Sequence, residues 1–190
     1  WTMGGKVGSQ CGTPLVTPSG VNAMSKLSNG AEFLPGARCL GDLLAEQGYV
    51  LHYIGGADSQ FGGKKNFYET HGFDRIEGLH DLSEGLAETG ALNHWGLQDD
   101  ETLSRVAARF DELASQDSPF VLATLTLGTH HPKGHVATPC VESPYKESDD
   151  PMLAAVHCSD RLIDNLVEHI LGSPQAENTL VVVMSDHTAM

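Results

Sequence analysis

Two runs, FVLATLTLG from Phe120 and TLVVVMSD from Thr179, constrain the chain more than anything else in it. Both are so dense in β-branched and apolar residues that they read as strands buried in a sheet, the first covered on both faces. YVLHYIGG, from Tyr49, is a third strand pattern, ended by two glycines. Helical patterns separate them. In CLGDLLAEQGY, Leu40, Leu43 and Leu44 share a face and Gly48 stands where a C-terminal cap belongs. KKNFYETHG is a short helix stopped by Gly72. From Asp99 to Gln116, Leu103, Val106, Ala107, Phe110, Leu113 and Ala114 line one side, with Asp99 or Asp100 at the start. From about Pro151 to Leu171 the stripe is Val156, Ile163, Leu166, Val167 and Ile170. Strand and helix alternate, which predicts an α/β fold with a mostly parallel sheet flanked by helices. Residues 13–36, 77–98 and 128–150 read as mainly irregular, the second with at most a helical turn.

In such sheets ligands gather beyond the carboxyl ends of the strands. Three polar clusters fall there: Gly55-Gly56-Ala57-Asp58, Thr129-His130-His131 and Ser185-Asp186-His187. Asp186 and His187 are an oxygen and a nitrogen ligand suited to Mn²⁺, Mg²⁺ or Zn²⁺, provided the backbone turns as it leaves the strand. A capping Asp beside a surface His would look the same. In THHPKG, Pro132 and Gly134 set a turn that would present His130 to a phosphate oxygen. A loop with incidental histidines would also fit. At WTMGGKVGSQCG, Thr2 stands at a helix start, where free N–H groups and the helix dipole favour an oxyanion. An ordinary capping threonine is the simpler account of that segment alone. In FGGKKNFYETHGFD, Lys64 and Lys65 open a helix, where a cation opposes the dipole, and one of them would pair with an anionic headgroup.

The formal net charge of −14 repels a phosphate backbone and argues against nucleic-acid binding. No run approaches the ~18 apolar residues of a membrane span. The four cysteines Cys11, Cys39, Cys140 and Cys158 contain no C-x-x-C. Their even number and wide spacing fit two disulfides in an oxidising compartment. Cys11–Cys39 with Cys140–Cys158 closes each loop-rich segment locally; two other pairings and four free thiols remain open. Trp1-Thr2 is no natural start, and nothing closes the motif before Met190.

Taken in order, Thr-x-x-Gly at residues 2–5, FGGK with HGFD, WGLQDD, TLTLGTHHPKG and SDHTAM resemble the alkaline-phosphatase/sulfatase superfamily. SQCG, CLGDLL and AVHCSD make the chain most similar to the periplasmic phosphoglycerol transferases of osmoregulated glucan synthesis, and less so to lipoteichoic acid synthases. The resemblance implies that residues 1–190 are the central part of one sulfatase-like catalytic domain, a truncated middle portion lacking an upstream carboxylate ligand and further sheet strands. It implies a divalent metal, commonly Mn²⁺, held by Thr2, Asp186 and His187, with Thr2 as nucleophile. It implies that His130 contacts the substrate phosphate, and that Lys64 stands where the synthases carry an arginine facing the headgroup. A lysine offers a point charge there, without arginine's fork. The implied reaction moves a phosphoglycerol headgroup from phosphatidylglycerol to a periplasmic glucan, in a protein anchored in the inner membrane through parts outside this chain. A hydrolase of the same superfamily, an isomerase or mutase of it, and a non-catalytic fragment or binding domain are the alternatives. Sulfate-ester hydrolysis through C-x-P-x-R is disfavoured, because Cys11-Gly12-Thr13-Pro14 has the wrong spacing and no Arg. With two or three ligands, the isolated chain is expected to bind metal weakly and to be inactive.

Overall fold

The computed structural model describes all residues except 18–19, 21–22, 85, 87–90, 143–144, 146 and 188–190. Thr188, Ala189 and Met190, the end of SDHTAM, therefore lie outside the described residues.

Three parallel strands form the sheet: β1 (Val50–Gly55) lies between β2 (Arg75–Glu77) and β5 (Phe120–Leu125). Val50 pairs with Phe120 and Gly55 with Leu125, so β1 and β5 end level with one another. A small antiparallel hairpin, β3 (Leu92–Asn93) and β4 (Gly96–Leu97), stands beside the sheet. The period of two along β1 divides the interior into two cores. Leu51 and Tyr53 pack with Met3 and Val7 of α1 (Thr2–Cys11) and with Phe67 and Tyr68 of α3 (Lys64–Thr70). Ile54 packs on the other face with Leu103 and Val106 of α5 (Asp99–Ala114), and Leu162, Ile163 and Leu166 of α7 (Pro151–Leu171) close that side. The expected α/β sheet between helical layers is thus found. The short helices α2 (Leu40–Ala45), α4 (Leu79–Leu82) and α6 (Thr138–Val141) complete the order.

The helix at residues 151–171 has the expected bounds, with Asp150 accepting the Met152 N–H at its start. Its buried side differs, because Ala155, Cys158 and Ser159 face inward while Val156 is exposed. The short side chains on that face let α7 approach α5, and the expected stripe is turned by one position in its first half. In α2 the expected apolar face is also turned outward: Leu40 and Leu43 are exposed, and Gly41 is buried. The physical reason is close approach, since a Cβ on Gly41 would overlap the His71 carbonyl oxygen. Gly48 and Gly72 end their turns at φ 81° and 82°.

TLVVVMSD corrects the sequence reading most clearly. Residues 179–185 carry no strand, and Leu180, Val182, Val183 and Met184 are exposed. Strand propensity alone does not make a strand; a hydrogen-bonded neighbour does. Among the described residues β5 pairs only with β1, and every residue of β5 is half-buried, not covered on both faces as expected.

Both locally closed disulfides are present, Cys11–Cys39 and Cys140–Cys158, and no described cysteine is free. The first ties the end of α1 to the residue capping α2; the second ties α6 to α7. No described helix is long and apolar enough to cross a membrane.

Candidate functional site

Thr2 is the first residue of α1, capped by Trp1 without a side-chain hydrogen bond, so N–H groups of the first turn have no side-chain acceptor. The sequence Thr-Met-Gly-Gly then decides what approaches this turn. Gly4 leaves room for the Trp1 indole, since a Cβ there would stand 2.7 Å from its Nε1. Gly5 carries the Asp186 backbone, and a Cβ there would overlap the Asp186 carbonyl oxygen. Thr2 and Gly5 are three residues apart and share a helical face. The two ends of the sequence therefore meet on the side of α1 that carries Thr2. Asp186 Oδ1 and His187 Nε2 lie 3.7 Å apart, with 27% and 28% of their side chains exposed. A carboxylate and an imidazole are an oxygen and a nitrogen donor of the kind divalent ions take. Among the described residues the one trio of Cys, His, Asp or Glu close enough for a metal is Cys11, Cys39 and His71, whose sulfurs are bonded to each other.

The segment leading into Lys64 approaches the same turn through Gly62. The FGG segment before Lys64 is a 3₁₀ turn with Gly62 at φ 71° and Gly63 at φ 75°, a conformation that favours glycine. A Cβ on Gly62 would stand 3.1 Å from Met3, next to Thr2. Lys64 is 3% exposed, and its ammonium donates to the Phe61 carbonyl at 2.7 Å. Burial, with the nearby Lys6 charge second, pushes its pKa down to about 8 against the opposing pull of Asp58.

Sequence reasoning did not single out Lys6 of WTMGGKVGSQ. It is 7% exposed, donates to Tyr68 Oη at 2.8 Å, and lies 4.9 Å from the centre of the Tyr53 ring. Tyr53 and Tyr68 stack at 4.3 Å, and burial pushes the Tyr53 hydroxyl up to about 12, so it stays protonated.

His130 follows β5 on a loop that Asp99 fastens. The Asp99 carboxylate accepts from the N–H groups of Leu127 and Gly128 at 2.6 and 2.8 Å, and from Ser159 Oγ at 3.3 Å. Burial raises the Asp99 pKa, and these hydrogen bonds oppose the rise. Asp99 was expected at the start of α5; its reach across to the β5 loop had no signal in the sequence. Gly134, at φ 66°, closes the turn after His130 with its N–H on the His130 carbonyl at 3.0 Å, as the Pro-x-Gly spacing predicts. The His130 Nδ1–H donates to the His131 carbonyl at 2.8 Å, which leaves Nε2 as the acceptor of the neutral ring. The Trp95 indole covers the ring at 4.0 Å. Trp95 comes from the hairpin WGLQDD, another contribution not foreseen. His135 is driven below the usual imidazole value by burial first and then by the charges of His94 and His130. His130 thus sits past the end of β5, on the rim where β1 also ends.

A cleft of about 360 Å³ lined by Ile54, Glu77, Asp81, Arg105, Arg109 and Glu112 lies against α5, on the opposite face from Lys6 and Tyr53. It holds none of the residues above.

A parallel sheet between helical layers, with polar residues gathered past its strand ends, defines an alkaline-phosphatase-like α/β domain. The chain belongs to the sulfatase family, whose profile, described as Sulfatase, matches residues 12–190. It is similar to Phosphoglycerol transferase I of Xanthomonas euvesicatoria pv. vesicatoria (strain 85-10), with 43% identity covering 100% of this chain and 27% of that protein. Phosphoglycerol transferase I of Citrobacter koseri is 38% identical, covering 100% of this chain and 25% of its own length. The chain thus spans about a quarter of the length of these curated relatives. A solved protein of the alkaline phosphatase superfamily from Vibrio parahaemolyticus superposes with a TM-score of 0.64 at 26% identity, over 90% of this chain and 39% of that one. The lipoteichoic acid synthase LtaP from Listeria monocytogenes shares the fold, with a TM-score of 0.68 at 14% identity over 88% of this chain and 39% of that one.

Proposed function

We propose that residues 1–190 are the central part of a sulfatase-like catalytic domain, in a protein that transfers phosphoglycerol from phosphatidylglycerol to a periplasmic glucan. The observation that supports this reading is the contact of the Asp186 backbone with Gly5, about one turn along α1 from Thr2. The similarity to Phosphoglycerol transferase I supports the choice of donor group. The family name does not by itself carry sulfate-ester hydrolysis, since the chain lacks C-x-P-x-R.

Thr2 Oγ, Asp186 and His187 would hold Mn²⁺, or Mg²⁺ or Zn²⁺ in its place. When bound, such an ion lowers the pKa of the hydroxyl it touches and neutralises phosphate charge. Thr2 Oγ forms the new bond to phosphorus as the bond to the diacylglycerol oxygen breaks; the leaving oxygen takes a proton and the Thr2 proton is lost. A glucan hydroxyl then displaces the phosphoglycerol from Thr2. The free N–H groups of α1 and the Lys64 ammonium stabilise the equatorial oxygens, which is most of what phosphoryl transfer needs from a protein. His130, with Nδ1–H committed to a carbonyl, offers Nε2 to a proton in transit and, once protonated there, donates Nε2–H to a phosphate oxygen. The disulfides suit the periplasm, and an inner-membrane anchor elsewhere in the protein would bring the site to its lipid.

The test uses the full-length protein with a fluorescent phosphatidylglycerol. Thr2→Ala is expected to remove both the covalent phosphoglycerol adduct and turnover; retained turnover overturns the assignment. His130→Ala is expected to weaken phosphate binding, and unchanged rate and affinity overturn its role. Product analysis with and without a glucan separates transfer from hydrolysis by water.

A further inference from the structure

The two sides of Thr2 on α1 meet different partners. Successive residues of α1 are turned by about 100°, so Gly5 and Lys6 flank Thr2 on its two sides. On the Gly5 side lies Asp186. On the Lys6 side the Lys6 ammonium reaches Tyr68 of α3, and Lys64 stands one turn before Tyr68 on the same helix face. Lys6 and Lys64 are 7% and 3% exposed. The chain has 25 carboxylates, yet among the described residues none forms a salt bridge with either lysine. Each ammonium has three N–H groups, and each makes one conventional hydrogen bond, Lys6 to Tyr68 Oη and Lys64 to the Phe61 carbonyl. Buried cations are ordinarily matched by an anion. Here the one carboxylate acting on Lys64, Asp58, makes no direct ion pair with it, and the direct contacts of both ammonium groups are aromatic rings and neutral oxygens.

We propose that Lys6 and Lys64 form a two-lysine seat for the oxyanions of a phosphate ester, with Lys6 as a second specificity-determining residue beside the reacting hydroxyl. The proposal deepens the transferase reading and rests on it for the position of the phosphate. The Tyr53–Tyr68 stack fixes Lys6: it forms the floor beneath the ammonium, and the protonated Tyr68 hydroxyl accepts from it. One lysine suits a singly charged diester. Two suit the extra negative charge that gathers on the phosphoryl oxygens as a nucleophile adds.

The experiment uses the full-length protein with Mn²⁺ and three separate probes: inorganic phosphate, glycerol phosphate, and vesicles containing phosphatidylglycerol. Lys6→Met keeps the length and apolar stem of the side chain and removes its charge. It is expected to weaken binding of phosphate and glycerol phosphate about tenfold or more, the loss of a charge-assisted hydrogen bond. If vesicle binding falls in parallel, the seat takes the lipid headgroup; if only the soluble probes weaken, it takes a free phosphate ester. Unchanged affinity for all three probes in a folded Lys6→Met protein overturns the proposal. A second measurement needs no variant: in a structure determined with phosphate, phosphate oxygens are expected within hydrogen-bond distance of both Lys6 Nζ and Lys64 Nζ. Contact with Lys64 alone overturns the role of Lys6. Thr2→Ala separates the two claims. It is expected to lose turnover, while adding Lys6→Met to Thr2→Ala still weakens phosphate binding about tenfold. If Thr2→Ala turns over normally while Lys6→Met has lost phosphate, the nucleophile assignment falls and the lysine seat stands.

Discussion

Lys64 shows how a single residue is set by burial more than by its neighbours. Its folded pKa of about 8 lies below the ordinary 10.5, chiefly because the ammonium is out of water. Between those values the unfolded chain keeps the proton and the folded one releases it. Stability therefore rises with pH from about 8 to 10.5, and below 8 the full penalty is present. Lys64→Met is expected to raise stability at pH 7 without a bound anion, on the order of 2–3 kcal/mol, with the gain fading above pH 10. Urea unfolding at the two pH values measures it; equal stability at pH 7 would contradict the burial account. Such a trade of stability for charge is usual at binding sites. Lys64 was legible because a cation at a helix start breaks a local rule. Lys6 was not, because one lysine among small residues breaks none, and only the Tyr53 and Tyr68 rings give it meaning. Asp99 was half legible: its place at the start of α5 follows from the pattern, whereas its bonds to Leu127 and Gly128 depend on how α5 meets β5.

At the scale of elements, α1 carries two competing demands. Glycine inside a helix costs about 1 kcal/mol relative to alanine, so Gly5→Ala should stabilise an isolated α1. In the folded chain the added Cβ would overlap the Asp186 carbonyl oxygen. The substitution is therefore expected to displace residues 186–187, abolish turnover of the full-length protein and lower its melting temperature. A stabilised, fully active Gly5→Ala protein would refute the packing described here. The long periodic helices α5 and α7 were legible nearly to the residue, as their stripes repeat over several turns. Three-residue β2 and the two-residue strands of the hairpin were not, because such short segments carry no period. Residues 179–184 show the opposite limit: a strong strand pattern in a segment with no ladder.

At the scale of the whole molecule, the two disulfides close loops of 28 and 18 residues. The chain-entropy view gives each roughly 3–4 kcal/mol, against about 5–15 kcal/mol for a whole domain. Replacing Cys11 and Cys39 together by Ala is expected to cost about 3 kcal/mol and to loosen α1, since that bridge fastens its last residue. Thermal unfolding of the variant, compared with wild type with and without a thiol reductant, measures this. A melting temperature indifferent to both treatments would show that packing alone holds α1.

The half-covered strand β5 also governs how residues 1–190 behave in solution. Among the described residues β5 is paired on one side only, and Leu180, Val182, Val183 and Met184 stand exposed; both are adhesive surfaces. A charge of −14 keeps copies apart at neutral pH. As acid brings the charge toward zero near pH 4.9, that repulsion vanishes while the stickiness stays, so the material should come out of solution there.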